Sequence, residues 1–298
     1  MIITTIVINT TVVRNSPFDK EGIGMEEIEK IHKMCLMIAK EIKRICEKNN
    51  IKYFLIAGSC LGAVRHKGFI PWDDDMDIGM LREDYEKFIK CCEIDLDKEK
   101  FFWQSCYTDK NYGQSIGKVR LNDTICKLEH DKTCKYHHGV YIDVFPFDSV
   151  PENNLSRKNQ KFKYWFYKEA MWMKKGMKKN VKNKKPISYF AFWIAICLIP
   201  YKLLKHNFLK TKLKYNKYIT TQVVTDGGYG YDKESLLRKW FDESTNVIFE
   251  GEMFPIFKEY DDYLKHLYGE YMILPPKDKR KTHMPVELDF GPYEKEFE

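Results

Sequence analysis

The chain has 298 residues, 44% of them hydrophobic and 31% charged, and carries a formal net charge of +7. That length can bury a full core, and that balance excludes a disordered chain. Nine cysteines, an odd number, fit reduced and mostly buried thiols better than a disulfide framework. Cys126, Cys134, His137 and His138 lie near one another, but their spacing matches no structural zinc pattern.

The first residues, MIITTIVINTTVV, have no basic n-region and no convincing cleavage site. They read as an added strand or a poorly ordered leader. Residues 23–48 place Ile28, Ile31, Cys35, Ile38, Ile42 and Ile45 at helical spacing, which predicts an amphipathic helix. KYFLIAG (52–58) predicts a short buried strand delivered into a Gly58-Ser59 turn. LGAVRHKG then predicts one or two helical turns stopped by Gly68. Pro71 disfavours helix in its predecessor, so 69–72 is expected to be extended or turned. Asp75, Met76, Asp77 and Ile78 alternate acidic and apolar, as in a strand with one wet and one buried face. A second helix is expected over Arg82–Cys92.

From 100 to 148 the pattern is β, in FFWQSCYT, QSIGKVRL, TICKLE and GVYIDVFPFD. In the last of these Tyr141, Asp143 and Phe145 share one face, with Val140, Ile142 and Val144 on the other. Residues 155–222 read as helices. Within them 174–185 carry seven lysines and no acid, followed by ISYFAFWIAICLIPYKLL (187–204). This apolar run, interrupted by Pro200, is too short to span a bilayer. Two readings stay open for it: attachment to an anionic membrane surface, or the core of a second lobe. TDGGYGYD (225–232) is a loop, followed by two short elements and a helix from Phe257 to Tyr268 ended by Gly269. LPPKDKRKTHMP is an irregular basic tail.

Chemistry concentrates in GSCLGAVRHKGFIPWDDDMDIGM (58–80). Gly58 and Ser59 offer backbone N–H groups and a hydroxyl to a phosphate. Asp75 and Asp77 point the same way on a strand, and like charges that close call for a divalent cation. Asp143, on a later strand, supplies a third carboxylate, or else bonds only to nearby backbone amides. Lys118 and Arg120 alternate on one strand face, where they either grip a pyrophosphate or form an exposed basic surface. Arg65 and His66 face either phosphate oxygens or solvent. Trp72 either packs a base or buttresses the acidic turn.

A Gly-Ser turn, then Asp-x-Asp, then a third acid resembles the nucleotidyltransferase superfamily. GSCLGAVRHKGFIPWDDDMDIGMLREDYEKF, GKVRLNDT, HHGVYIDVFPFD and YLKHLYGEYMILPPKDKRKTHMP resemble, more narrowly, the LicD family of phosphocholine transferases, which includes the fukutin-related proteins. The resemblance runs over roughly 24–290. It implies an α+β fold: a mixed nucleotidyltransferase-like sheet flanked by helices, with an added, mostly helical region. The matching organisation is an extension (1–22), a catalytic core (23–150), a basic and apolar helical region (151–225) and a C-terminal region (226–298) completing the domain. It further implies that Asp73, Asp75, Asp77 and Asp143 hold Mg²⁺ or Mn²⁺, with Asp75, Asp77 and Asp143 catalytic. Gly58, Ser59, Arg65, His66, Lys118 and Arg120 would bind substrate. The implied reaction moves a phospho-alcohol from a CDP-activated donor to a glycan or lipid-linked glycan, releasing CMP. The expected setting is cytoplasmic, at the inner face of the cell membrane if the basic-apolar segment attaches there, with no nucleic acid partner. Two alternatives stand beside this reading: transfer of the nucleotide itself, and a non-catalytic membrane-associated binding protein.

Overall fold

A computed structural model describes residues 24–177, 194, 196–280, 282 and 285–296. The N-terminal extension and most of the lysine block lie outside the described residues. So does the first part of the apolar run after it.

The expected first helix is present as α1 (Met25–Lys48). Its Ile31, Ile38, Ile42 and Ile45 stripe is almost wholly buried, and Glu26 and Glu27 in the first turn suit the positive end of the helix dipole. Asn50, with φ of 49°, turns the chain after it into β1 (Phe54–Leu55). The strand is shorter than expected, because α2 (Ala57–His66) begins at once. Gly58 and Ser59 therefore lie in the first turn of a helix rather than in a free turn. Lys67, in the left-handed region at φ 59°, ends α2, one residue before the expected Gly68. Residues 69–76 cross in an irregular segment to β2 (Asp77–Leu81), which runs into α3 (Arg82–Asp95). Asp75 thus sits just ahead of the strand expected to contain it.

β3 (Phe101–Gln104), β4 (Gly117–Leu121), β5 (Ile125–Leu128) and β6 (Tyr141–Ser149) follow, in the expected β region. Then come α4 (Asn154–Lys174), α5 (Tyr201–Leu213), β7 (Gln222–Val224) and β8 (Ser235–Leu237). The Asn153 side chain caps α4 by accepting from the N–H groups of Leu155 and Ser156. β9 (Ser244–Phe249) and β10 (Glu252–Phe257) form a hairpin, so Phe257 ends a strand, and α6 (Tyr260–Tyr268) starts three residues later than expected. Gly269, with φ of 68°, stops α6 as anticipated. β11 (Pro285–Asp289) returns to pair with β5.

The main sheet has seven strands, ordered β1-β2-β6-β4-β3, with β7 and β8 added beside the far end of β6. β2 and β6 are parallel and the other neighbours antiparallel, giving a mixed α+β sheet. α1 and α3 supply the apolar cover, and Ile38, Ile42, Phe88, Ile142 and Val144 are all fully buried. Burying a side chain of that size is worth about 1.5–3 kcal/mol. A smaller cluster around Tyr164, Met171, Leu204 and Phe208 joins α4 to α5. No described helix is long and apolar enough to cross a membrane.

Candidate active site

Strand register builds the centre of the site. Asp77 on β2 is the register partner of Asp143 on β6, and Lys118 on β4 is the partner of Asp143 from the other side. Three ionisable side chains therefore stand abreast on three adjacent strands. Lys118 Nζ forms an ion pair with Asp143 Oδ1 and lies 3.5 Å from the centre of the Tyr141 ring. Burial pushes the Lys118 ammonium down, against the pull of Asp143. The Asp77 carboxyl is held well above the usual carboxylate range, first by burial and then by Asp75, Asp143 and Asp73. Lys118 acts in the opposite sense, with less effect.

The two expected phosphate-binding features of α2 have a second role. Ser59 Oγ accepts the Asp77 N–H at 2.8 Å, tying the first turn of α2 to the first residue of β2. A Cβ on Gly58 would stand 2.6 Å from Asp73 Oδ2, so only glycine lets that carboxylate come against the start of the helix. Asp73 is also held through its carbonyl, 2.6 Å from His32 Nε2. Ala57 adopts φ of 48°, an uncommon conformation for alanine, with its N–H donated to the Tyr263 hydroxyl at 2.8 Å.

Arg120 is only 1% exposed, so it is no surface grip for a pyrophosphate. It donates to Gln104 Oε1 and to the Gly139 carbonyl, each at 2.6 Å, and its guanidinium lies 4.7 Å from the Tyr141 ring. β4 is buried along its whole length because it lies between β3 and β6. The exposed basic strand face is thereby excluded, and Lys118 serves Asp143 directly. Arg65 and His66 sit at the far end of α2, about 9–10 Å from Ser59 along the helix axis at 1.5 Å per residue. Arg65 donates to His66 Nε2 at 2.9 Å and to the Tyr271 carbonyl at 2.7 Å. The structure thus gathers Gly58, Ser59, Asp73, Asp75, Asp77, Lys118 and Asp143, and sets Arg65, His66 and Arg120 apart.

Residues not anticipated complete the wall. Tyr229, from the 225–232 loop, bonds hydroxyl to hydroxyl with Tyr268 of α6 at 2.7 Å, their rings edge to face. Burial pushes the Tyr229 phenol up to about 12, with Asp77 and Asp73 adding to the effect. Tyr268 is likewise raised by burial, then by Tyr229, with Asp77 contributing. Glu234 Oε1 accepts the Tyr229 N–H at 3.0 Å and fixes the loop. Nothing in the local pattern of TDGGYGYD marks it as part of a site, since it arrives from remote chain.

Four carboxylates suit a hard cation of the Mg²⁺ or Mn²⁺ kind. The charge excess at Asp77 fits such a group. Among the described residues no three His, Cys, Asp or Glu side chains already stand as a ready ligand cluster, at these acids or at Cys134 and His138. Cys134 Sγ instead faces the Lys175 carbonyl, and His138 Nε2 faces the Cys134 carbonyl.

Residues 50–194 match the family described as the LicD/FKTN/FKRP nucleotidyltransferase domain. The lipopolysaccharide cholinephosphotransferase LicD of Haemophilus influenzae is 28% identical over 264 residues, 84% of this chain and 93% of that protein. The ribitol 5-phosphate transferase FKRP of Homo sapiens is 43% identical over 133 residues, which are 42% of this chain but 23% of the human protein. An uncharacterized Rickettsia typhi protein is 53% identical over 125 residues, 40% of this chain and 35% of its own. The matched segment contains every one of the four acids and Lys118, and over it the chain is similar to the LicD/FKTN/FKRP nucleotidyltransferase domain.

Proposed function

We propose that the protein is a metal-dependent transferase that moves a phospho-alcohol group from a CDP-activated donor to a hydroxyl of a cell-surface glycan or its lipid-linked precursor. The observation that carries this reading is the register of Asp77 beside Asp143, with Lys118 on the other side of Asp143, inside the matched domain. Phosphocholine is the first choice of cargo, because the relative matched along most of its length is named a cholinephosphotransferase. Ribitol phosphate is the second, favoured by the higher identity to FKRP over a shorter span.

Asp73, Asp75, Asp77 and Asp143 would hold the cation. Bound there, it would neutralise charge on the donor phosphates and favour loss of the nucleotide. The acceptor hydroxyl oxygen attacks the distal phosphorus, the bond to the bridging oxygen breaks, and CMP leaves. The hydroxyl proton goes to a carboxylate, for which Asp143 is well placed. Lys118 keeps that carboxylate oriented through its ion pair, and Ser59 fixes the backbone from which Asp77 projects. Burial by the tyrosines limits water at the reacting phosphorus.

Incubation with CDP-choline or CDP-ribitol, Mg²⁺ and candidate glycans should release CMP, with activity lost on chelation and restored by Mg²⁺ or Mn²⁺. Appearance of nucleotide label on the acceptor would overturn the reading in favour of nucleotidyl transfer. A lipid-linked acceptor also accords with the exposed Leu155, Phe162 and Trp165 of α4 and Leu203 of α5. Flotation with anionic liposomes at low and high salt tests that contact, and absence of binding at low salt would reject it.

A further inference from the structure

At the C-terminal end of α2, two arginines lie near the Trp72 indole, one directly and one through His66. Arg65 comes from α2 and Arg280 from the basic tail near the end of the sequence. Arg280 lies 4.3 Å from the centre of the Trp72 ring, and the Thr282 hydroxyl donates to the Trp72 carbonyl at 2.8 Å. His66 meets the same indole edge-on, with ring centres 6.2 Å apart. Arg65 spends its hydrogen bonds on the Tyr271 carbonyl and on His66, and Arg280 spends one on the Pro275 carbonyl. Among the described residues neither guanidinium has a carboxylate partner, whereas Arg82 and Arg44 each have one.

Arg280 also bears on Arg65 as a neighbouring charge. Burial lowers its pKa, the Tyr268 phenol acts in the opposite sense, and Arg280 lowers it again. His66 is lowered by burial and by Arg65. A cation in the last turn of a helix is ordinary, because the dipole favours it. That accounts for Arg65 but not for a second guanidinium brought from the tail and laid on the adjacent indole. Two like charges drawn together without a counter-charge are stabilised by an anion, and the planar guanidinium fork suits phosphate oxygens.

We infer that Arg65 and Arg280, buttressed on Trp72, form a phosphate-binding subsite separate from the carboxylates. It goes beyond the transfer reading, because it holds whichever group is moved. Its phosphate comes either from the donor or from a phosphate-bearing acceptor. α2 links the two places: Ser59 stands at the acid end and Arg65 at the basic end.

The test is calorimetric titration of the full chain with inorganic pyrophosphate, without divalent cation. The wild type should bind with an affinity that falls with salt. Arg280→Ala should weaken binding at least about tenfold, and Arg280→Lys by less. Lys279→Ala removes the same charge from the neighbouring position and should change little. Arg280 is partly exposed, so its loss should leave the melting temperature near that of the wild type; Arg65→Ala then confirms the second arm. Equal binding by wild type and Arg280→Ala, equal loss in Lys279→Ala, or no binding by the wild type would overturn the subsite. Competition by CMP assigns it to the donor, and lack of competition to the acceptor; either result supports it. Asp77→Asn, expected to lower transfer by about 10²–10³, should still bind pyrophosphate. A failed transfer assay with intact pyrophosphate binding would therefore sink the function and leave the subsite standing.

Discussion

β6 carries two buried aspartates, and their surroundings differ in kind. Asp148 is fully buried and accepts two bonds from Arg82, Nε to Oδ1 at 2.8 Å and Nη2 to Oδ2 at 2.7 Å. Asn216 adds a third at 2.7 Å. Burial alone would raise its pKa, but Arg82, Lys212 and Asn216 outweigh it and hold the carboxylate below its usual range. Asp143, nearer the start of the strand, has Lys118 on one side and Asp77 on the other. Asp148 is closed on all sides by donors and holds α3 and the segment after α5 to the sheet. Asp143 has a second carboxylate, Asp77, as a register neighbour beside its ion-pair partner, Lys118. A satisfied acid marks architecture, and a crowded acid marks a place for a ligand.

Substitutions can undo that contrast. The largest stability effect is expected from Arg82→Ala, which strands Asp148 in the core and should cost about 3–5 kcal/mol. Denaturant melts would read it. Asp148 contributes stability that is fully present above the ordinary carboxylate range and is lost as pH falls through its lowered pKa. Acid unfolding of the Arg82 variant should therefore begin at higher pH than in the wild type. Asp77→Asn is the converse case. Transfer should fall by about 10²–10³, the scale of losing one charge-stabilising group, while the melting temperature holds or rises because a repulsion is removed. A variant that loses both together would place Asp77 with Asp148 among the structural acids.

A third acid, Glu234, extends the contrast to pH. Burial raises it to about 7, against the Tyr229 N–H and Lys168, with Asp226 pushing in the same direction as burial. Its contribution is fully present below the unfolded carboxylate pKa and is lost as pH rises through about 7. Melting temperature should therefore decline from pH 5 to pH 8 by an amount that Glu234→Gln removes. The effect is bounded at about 3 kcal/mol, since a tenfold change in proton affinity between the folded and unfolded chain is worth about 1.4 kcal/mol. The smallest effect is Ser59→Ala, where losing the bond from the Asp77 N–H should cost about 1 kcal/mol. Asp77 would be less well fixed, which would show as lower kcat.

Much of this is legible in the chain itself. Alternation places Asp143 with Tyr141 and Phe145, and pairs Lys118 with Arg120 on one face, because strand parity is local. Burial of that face is not legible, since it depends on which strands flank β4. Nothing local singles out Asp148, for the same reason: its partner Arg82 lies at the start of α3, and only the fold brings them together. Gly58 and Ser59 stand out in the sequence, but as a phosphate turn. Their place in the first turn of α2 depends on Ala57 taking a conformation that the Tyr263 hydroxyl supports from afar. Tyr229, Tyr268 and Arg280 come from distant segments, and no spacing rule points from them to the acids.

The pairing of β11 with β5 bears on how the chain is made. Residues 285–289 close a sheet begun at 125–128, and Arg280 and Thr282 clasp the turn at Trp72. A ribosome releases every acid of the site long before it releases this clasp. Because folding proceeds from the N-terminal side during synthesis, the nascent protein carries its complete set of carboxylates on an unfinished scaffold. Maturation of the site is then tied to synthesis of residues 280–289, and a chain stopped before residue 280 would have the acids without the clasp.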